Sequence, residues 1–286
     1  MHALALLVLT AASAAAQTSW RAVPEGPAVS VDGQSALGTS FATFVGAASL
    51  SAHVPAGPVA IVADVPVGVV QARSLEDVAG EPAARSDAGL GNPYLGIRLG
   101  RGPLVVSVGG RVPLAEREPI TEPIAGGPVD ATAAVAAMAS DQYLAFEPSM
   151  LSVGATVGID RPLSPALRLR AWAGPLYAHD TGERTDAPPP PGIPQVAPLP
   201  RGNLAGVGAA YVDAGVGGVT LTAGTSGRYD PPGGALTWED DLRMDALVGV
   251  RANALPARPS IYVRLPAVGF SASDAVVGLS VDVPLR

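Results

Sequence analysis

Leu104-Val105-Val106-Ser107-Val108-Gly109-Gly110-Arg111-Val112-Pro113-Leu114 places Val106, Val108 and Val112 on one side and Ser107, Gly109 and Arg111 on the other. That two-residue period belongs to an extended strand with chemically different faces. Just upstream, Leu95, Ile97 and Leu99 oppose Tyr94, Gly96 and Arg98. The period recurs along the chain. Val59, Ile61, Val65, Val67 and Val69 oppose Asp64 and Gly68, and Leu167 and Leu169 oppose Arg168 and Arg170. Leu242, Met244, Val248 and Val250 oppose Arg243, Asp245 and Arg251. Ile261, Val263 and Leu265 oppose Tyr262 and Arg264, and Val277, Leu279, Val281 and Val283 oppose Gly278, Ser280 and Asp282. One face is apolar and the other small or charged.

A soluble β-sandwich also alternates, so periodicity alone leaves sheet against sheet and sheet against lipid both open. Two features favour lipid. The polar face is built from Gly, Ser, Thr and Arg with almost no Glu, which suits a confined lumen. The connections also alternate in length. Short turns fall at Pro55-Ala56-Gly57, Gly100-Arg101-Gly102, 161–165, Gly217-Gly218 and 255–259, and long loops at 74–88, 115–141, 180–202 and 229–240. Short periplasmic turns and long outer loops are the rhythm of a bacterial outer-membrane barrel. The expected fold is therefore all-β, a transmembrane antiparallel β-barrel. About eleven strands lie between Leu37 and Leu285, and one more near 27–36 makes twelve; if that segment is only a tether, the number is ten.

Composition narrows the functional classes. There is no cysteine, and every one of the 18 basic residues is Arg. Thiolate catalysis, disulfides, Cys-based metal sites and lysine chemistry are thereby excluded. A net charge of -7 speaks against a nucleic-acid partner. With 34 Gly, 29 Pro and 48% apolar residues the chain is too apolar for disorder and too rich in helix breakers for a bundle. Past the first residues no apolar stretch reaches the ~20 residues of a spanning helix.

Residues 1–16 read as a signal peptide, with the apolar run Leu4 to Leu9 and Ala14-Ala15-Ala16 before Gln17. Residues 17–36 follow as an extended segment and 37–286 as the barrel. Asp130 to Ser140 has the composition of a short helix within a long loop, and the prolines of 186–200 favour a polyproline-like segment.

Little points to catalysis. His53 and His179 are the histidines left in the mature chain, and no serine occupies a G-x-S-x-G context. Gly89-Leu90-Gly91 and Gly206-Val207-Gly208 begin a dinucleotide fingerprint without completing it and read as strand glycines. Glu239-Asp240-Asp241 with Asp230 lacks calcium-loop spacing and reads as a solvated acidic loop. The expectation is a non-enzyme without cofactor or bound metal.

Gly91-Asn92-Pro93-Tyr94-Leu95-Gly96, Arg111-Val112-Pro113-Leu114, its echo Arg264-Leu265-Pro266, and the closing run Val277 to Leu285 together resemble uncharacterised bacterial outer-membrane β-barrel proteins of the porin and transporter-like kind. The resemblance implies residence in the outer membrane, contact with its lipid and insertion by the barrel-assembly machinery. It brings no catalytic or ligand-binding residues. Candidates for interfacial aromatic girdles are Trp20, Trp172, Trp238, Tyr94, Tyr177 and Tyr262.

Strand parity assigns the lumen-lining residues: Asp64, Arg98, Arg111, Arg168, Arg170, Arg243, Asp245, Arg251, Arg264 and Asp282. Arginines outnumber aspartates in this set, because most carboxylates lie on the loops. A passive channel or solute-uptake barrel that attracts small anions is the expected function. A plugged structural or adhesive barrel and a secreted β-sandwich binding module are the alternatives.

Overall fold

The computed structural model describes residues 26–37, 44–73, 84–115, 143–146, 149–182, 202–230, 242–268 and 275–285. The signal segment, the expected helix at 130–140, the proline-rich 186–200, Trp20, Trp238 and Glu239-Asp240-Asp241 lie outside the described residues.

Thirteen strand segments form one antiparallel sheet. They are β1 (Ala28–Leu37), β2 (Phe44–Ala56), β3 (Val59–Arg73), β4 (Ala84–Leu90), β5 (Tyr94–Arg101), β6 (Leu104–Arg111), β7 (Met150–Pro162), β8 (Leu167–Asp180), β9 (Gly202–Val216), β10 (Val219–Tyr229), β11 (Leu242–Ala252), β12 (Arg258–Val268) and β13 (Ala275–Pro284). A four-residue helix, α1 (Tyr143–Phe146), precedes β7. Apart from β4 and β5, which do not pair with each other, each strand pairs with its sequence neighbour, and β1 pairs with both β2 and β13, from Ala28↔Pro284 to Leu37↔Ala275. The sheet therefore closes on itself, which excludes a sandwich. β4 and β5 pair with successive halves of β3, so they are one strand interrupted at Gly91-Asn92-Pro93. The fold is a closed 12-stranded antiparallel β-barrel.

The segment near 27–36 supplies the twelfth strand. The barrel thus begins at Ala28, inside the stretch assigned by sequence to an extended segment, because Ser30, Asp32 and Gln34 point inward with the same alternation as the other strands. The loop expected at 74–88 is shorter than that, since Ala84 already pairs with Arg73.

All the tight turns lie on one rim, together with both ends of the barrel. Gly57 and Gly102, each followed by proline, have φ of +66 and +61, and Gly217 and Gly218 both have positive φ. Positive φ at both central residues of a two-residue hairpin matches the twist of the flanking strands, and glycine adopts it without a Cβ clash. The strand ends joined by the longer connections lie on the opposite rim.

Burial inverts the rule for soluble proteins. Val31, Leu50, Ile61, Val65, Leu95, Ile97, Val157, Val212, Leu221, Val248, Ile261 and Leu279 are exposed on the outside, whereas Asp64, Arg111, Thr156, Arg170, Asp213, Asp245, Arg264 and Asp282 are buried inside. A continuous exposed apolar belt of this extent is unsuited to water and suited to the hydrocarbon of a bilayer. Closure pairs the ladder through every strand, which a lipid environment requires.

Candidate functional site

The barrel interior collects the polar chemistry of the chain. All ten residues assigned to it by parity lie on the inward face. Asp64, Arg111, Arg170, Asp245, Arg264 and Asp282 are buried, and Arg98, Arg168, Arg243 and Arg251 are half-buried. They fall into two layers.

The layer nearest the short turns holds Arg98, Arg168, Arg170, Arg251 and Arg258 with Asp160, Asp213 and Asp282. Arg170 Nε and Nη2 each donate to a different oxygen of Asp213 at 2.8 Å, and Thr222 donates to the same carboxylate at 2.7 Å. Arg168 grips Asp160 in the same forked way, at 2.5 and 3.0 Å. Arg98 stands 3.9 Å from that aspartate. Arg251 donates from Nε to Asn253 Oδ1 at 2.9 Å and meets no carboxylate within 4 Å among the described residues. Ser30 donates to Asp282 at 2.6 Å. Among the described residues, five arginines against three aspartates leave this layer positive.

Among the described residues, the layer nearer the long loops holds Arg111, Arg228, Arg243 and Arg264 with Asp32, Asp64, Asp180, Asp230 and Asp245, and it carries no positive excess. Arg111 Nη1 donates to the Asn92 carbonyl at 2.8 Å and lies 3.5 Å from Asp64. Arg228 donates twice to Asp230 Oδ1, at 2.5 and 2.8 Å.

One feature of this layer was invisible in the sequence. The break at Gly91-Asn92-Pro93 sets three residues against two of β3, one of them Pro66, which has no N–H to give the ladder. The connection between β6 and β7 docks there. Asn92 N donates to Ala145 O at 2.6 Å, and Asn92 Oδ1 accepts from Ala115 N at 2.8 Å. Phe146 is wholly buried beside Pro66 and Gly91. A Cβ on Gly91 would collide with the Ala145 carbonyl, so this docking needs glycine.

Between the layers the interior is filled by aromatic side chains. Trp172, Tyr211, Leu247 and Tyr262 pack together, with Ala209 alongside. Three tyrosines follow one design: Tyr211 and Tyr262 each cover a glycine on a neighbouring strand, Gly224 and Gly278, while Tyr94 covers Gly96 of its own strand and reaches Gly109 of β6 with its hydroxyl, and each carries an arginine over its ring, Arg111 at 5.6 Å, Arg170 at 5.2 Å and Arg264 at 5.9 Å. Aromatic coverage of strand glycines and cation–π contact both stiffen such a wall. Tyr94, Tyr262 and Trp172 are thus interior residues and not members of an outer girdle. The reason is parity: each shares a face with an inward arginine, Arg98, Arg264 or Arg170. Outside, Phe44, Tyr177 and Tyr229 are exposed toward the long-loop rim.

More carboxylates face inward than Asp64, Asp245 and Asp282. Asp32, Asp160, Asp180, Asp213 and Asp230 also face inward, joined by Arg228 and Arg258, so among the described residues nine arginines meet eight aspartates on the inward face, and the arginine excess belongs to the short-turn layer. The same period could have found Asp160, since Leu151, Val153, Val157 and Ile159 oppose Ser152, Thr156 and Asp160.

The remaining candidates are unremarkable. His53 Nδ1 lies 3.2 Å from the Gly26 carbonyl, and His179 stacks on Tyr177. Gly206 and Gly208 are β9 residues, Gly89 belongs to β4, and Asp230 receives Arg228. Among the described residues no cluster of His, Asp and Glu is placed to hold a metal ion.

No protein-family model matches the chain, and no curated protein matches it. Solved structures do. An outer membrane channel from Pseudomonas putida is similar over 93% of this chain and 97% of its own, with a TM-score of 0.59 at 9% identity. The outer membrane channel DcaP of Acinetobacter baumannii aligns over 90% of this chain and 95% of its own at 11% identity, with a TM-score of 0.35. The β domain of the Bordetella autotransporter BrkA aligns over 91% of this chain and 100% of its own at 13% identity, with a TM-score of 0.47. At these identities the first likeness establishes a shared outer-membrane barrel fold.

Proposed function

We propose that this chain resides in a bacterial outer membrane, in contact with its lipid, as a passive channel for small solutes, and that it passes anions in preference to cations. The observation that carries this reading is the positive layer at the short-turn mouth, where Arg98 shares Asp160 with Arg168 and Arg251 meets no carboxylate within 4 Å among the described residues. In a narrow passage with low-dielectric walls, an uncompensated excess of fixed charge concentrates counter-ions of the opposite sign. Arg111 does not contribute in this way, because Asp64 and the Asn92 carbonyl occupy it.

Reconstitution in a planar bilayer tests the proposal. Reversal potentials across a chloride gradient should show anion preference, and Arg98→Ser with Arg251→Ser should reduce it. Cation preference would reject the polarity.

A plugged structural or adhesive barrel is the second reading. It is favoured by the filled middle of the lumen, where Tyr211 is 1% and Arg264 2% exposed. Twelve strands fall between the ~8 that side chains fill and the ~16 that leave an aqueous channel. A correctly folded sample that carries no current would establish the plug.

A further inference from the structure

We infer that Arg98, Arg170 and Arg251 together form a binding site for a small oxyanion, a carboxylate or phosphate group, across the short-turn end of the lumen. The inference rests on the channel reading and names the class of solute that would pause in it.

In the closed strand order β8 stands midway between β5 and β11, so Arg98 on β5 and Arg251 on β11 face each other across the barrel with Arg170 between them. All three point inward near the same rim: Arg98 lies just before the β5–β6 turn, Arg170 just after the β7–β8 turn and Arg251 just before the β11–β12 turn. Arg98 and Arg251 each lie close enough to Arg170 to be repelled by it, although Asp160 in the first case and Asp282 and Asp213 in the second attract them more strongly. An anion between them would relieve that repulsion.

The carboxylates nearby are already engaged. Asp160, which is nearest to Arg98, is held by both forks of Arg168, and Asp213 is held by Arg170 and Thr222. Arg251 uses Nε on a neutral amide oxygen. The fixed grip of Asp213 and the Tyr211 ring hold Arg170 in one pose, so a bound anion need not immobilise it. Arg170 spends Nε and Nη2 on Asp213 and Arg251 spends Nε on Asn253, so the planar fork that suits the paired oxygens of carboxylate or phosphate over a spherical halide comes from Arg98.

The test uses the full-length barrel folded in detergent micelles, titrated with inorganic phosphate or with acetate against chloride at equal ionic strength. Trp172, two residues along β8 from Arg170 and on the same face, gives a fluorescence readout, and the melting temperature gives a second. Phosphate should produce a saturable change in both that chloride does not, and Arg98→Gln with Arg251→Gln should weaken it at least tenfold. Arg98→Lys and Arg251→Lys, which keep the charge and lose the fork, should weaken it less and provide folded controls if the Gln pair fails to assemble. Saturation with acetate as well as phosphate would assign the site to oxyanions generally, and saturation with phosphate alone to phosphate groups. A change that does not saturate, or that survives unaltered in folded double variants, would overturn the site. Binding in micelles needs no conductance. A barrel that conducts chloride yet binds no oxyanion loses the site and keeps the channel, and one that binds yet never conducts keeps the site and loses the channel.

Discussion

Arg170 and Asp213 carry the largest consequence of any pair in the interior. Both are buried, and the two parallel hydrogen bonds leave little of either charge for water. Removing one partner strands the other, which in buried pairs costs about 3–5 kcal/mol. Asp213→Ala should therefore lower the urea midpoint of the folded barrel by that equivalent. Asp160→Ala makes the contrast. Its partner Arg168 is 37% exposed and can recover water, so the loss should be about 1 kcal/mol or less. Equal losses at the two positions would mean that the short-turn layer is uniformly wet or uniformly dry.

At the scale of the strand, each face has its own test. Val108 on β6 pairs with Ile97 and Ala155, mid-strand on the apolar exterior. Val108→Arg should cost about 2–4 kcal/mol if that position lies near the bilayer midplane. Refolding yield and unfolding midpoint in lipid vesicles measure it, and an unchanged protein would place this face in water. On the inner face, Gly278 of β13 lies beneath the Tyr262 ring, whose hydroxyl donates to Asp32 at 3.0 Å. Gly278→Leu would displace the ring and break the bridge from β12 to β1. A loss of about 1–3 kcal/mol is expected from overpacking. Because β1–β13 is the seam of the barrel, the fraction of sample that closes should fall as well.

For the whole molecule, closure is the property with a simple readout. Closed outer-membrane barrels keep their pairing in detergent until heated. An unheated sample should therefore migrate differently on a gel from a boiled one, and a single position for both would argue against a closed sheet. Closure also turns two short arms of charge, Arg98 and Arg251, into opposite walls of one passage. The channel and oxyanion readings depend on that geometry.

Alternation is a local property of the chain, so the strands, their inward residues and the short and long connections were legible in the sequence. The alternation in 104–114 alone assigns Arg111 to the polar face and Val108 to the apolar one. Pairing is not local. Arg170 meets Asp213 across 43 residues and Ser30 meets Asp282 across 252, and neither partner advertises the other. For that reason residue order alone yields an arginine excess but neither how much of it is neutralised nor that the remainder lies at one mouth. Tyr94, Trp172 and Tyr262 were misplaced because aromatic character suggests an interface, while only strand parity says which side of the wall a ring occupies. The docking of α1 on the break at Asn92 had no sequence signal, because it joins a loop to a bulge that exists only once β3 has paired with both β4 and β5. Strand direction and face were set by residue order, and the electrostatics of the interior were set by which faces the closed sheet brought together.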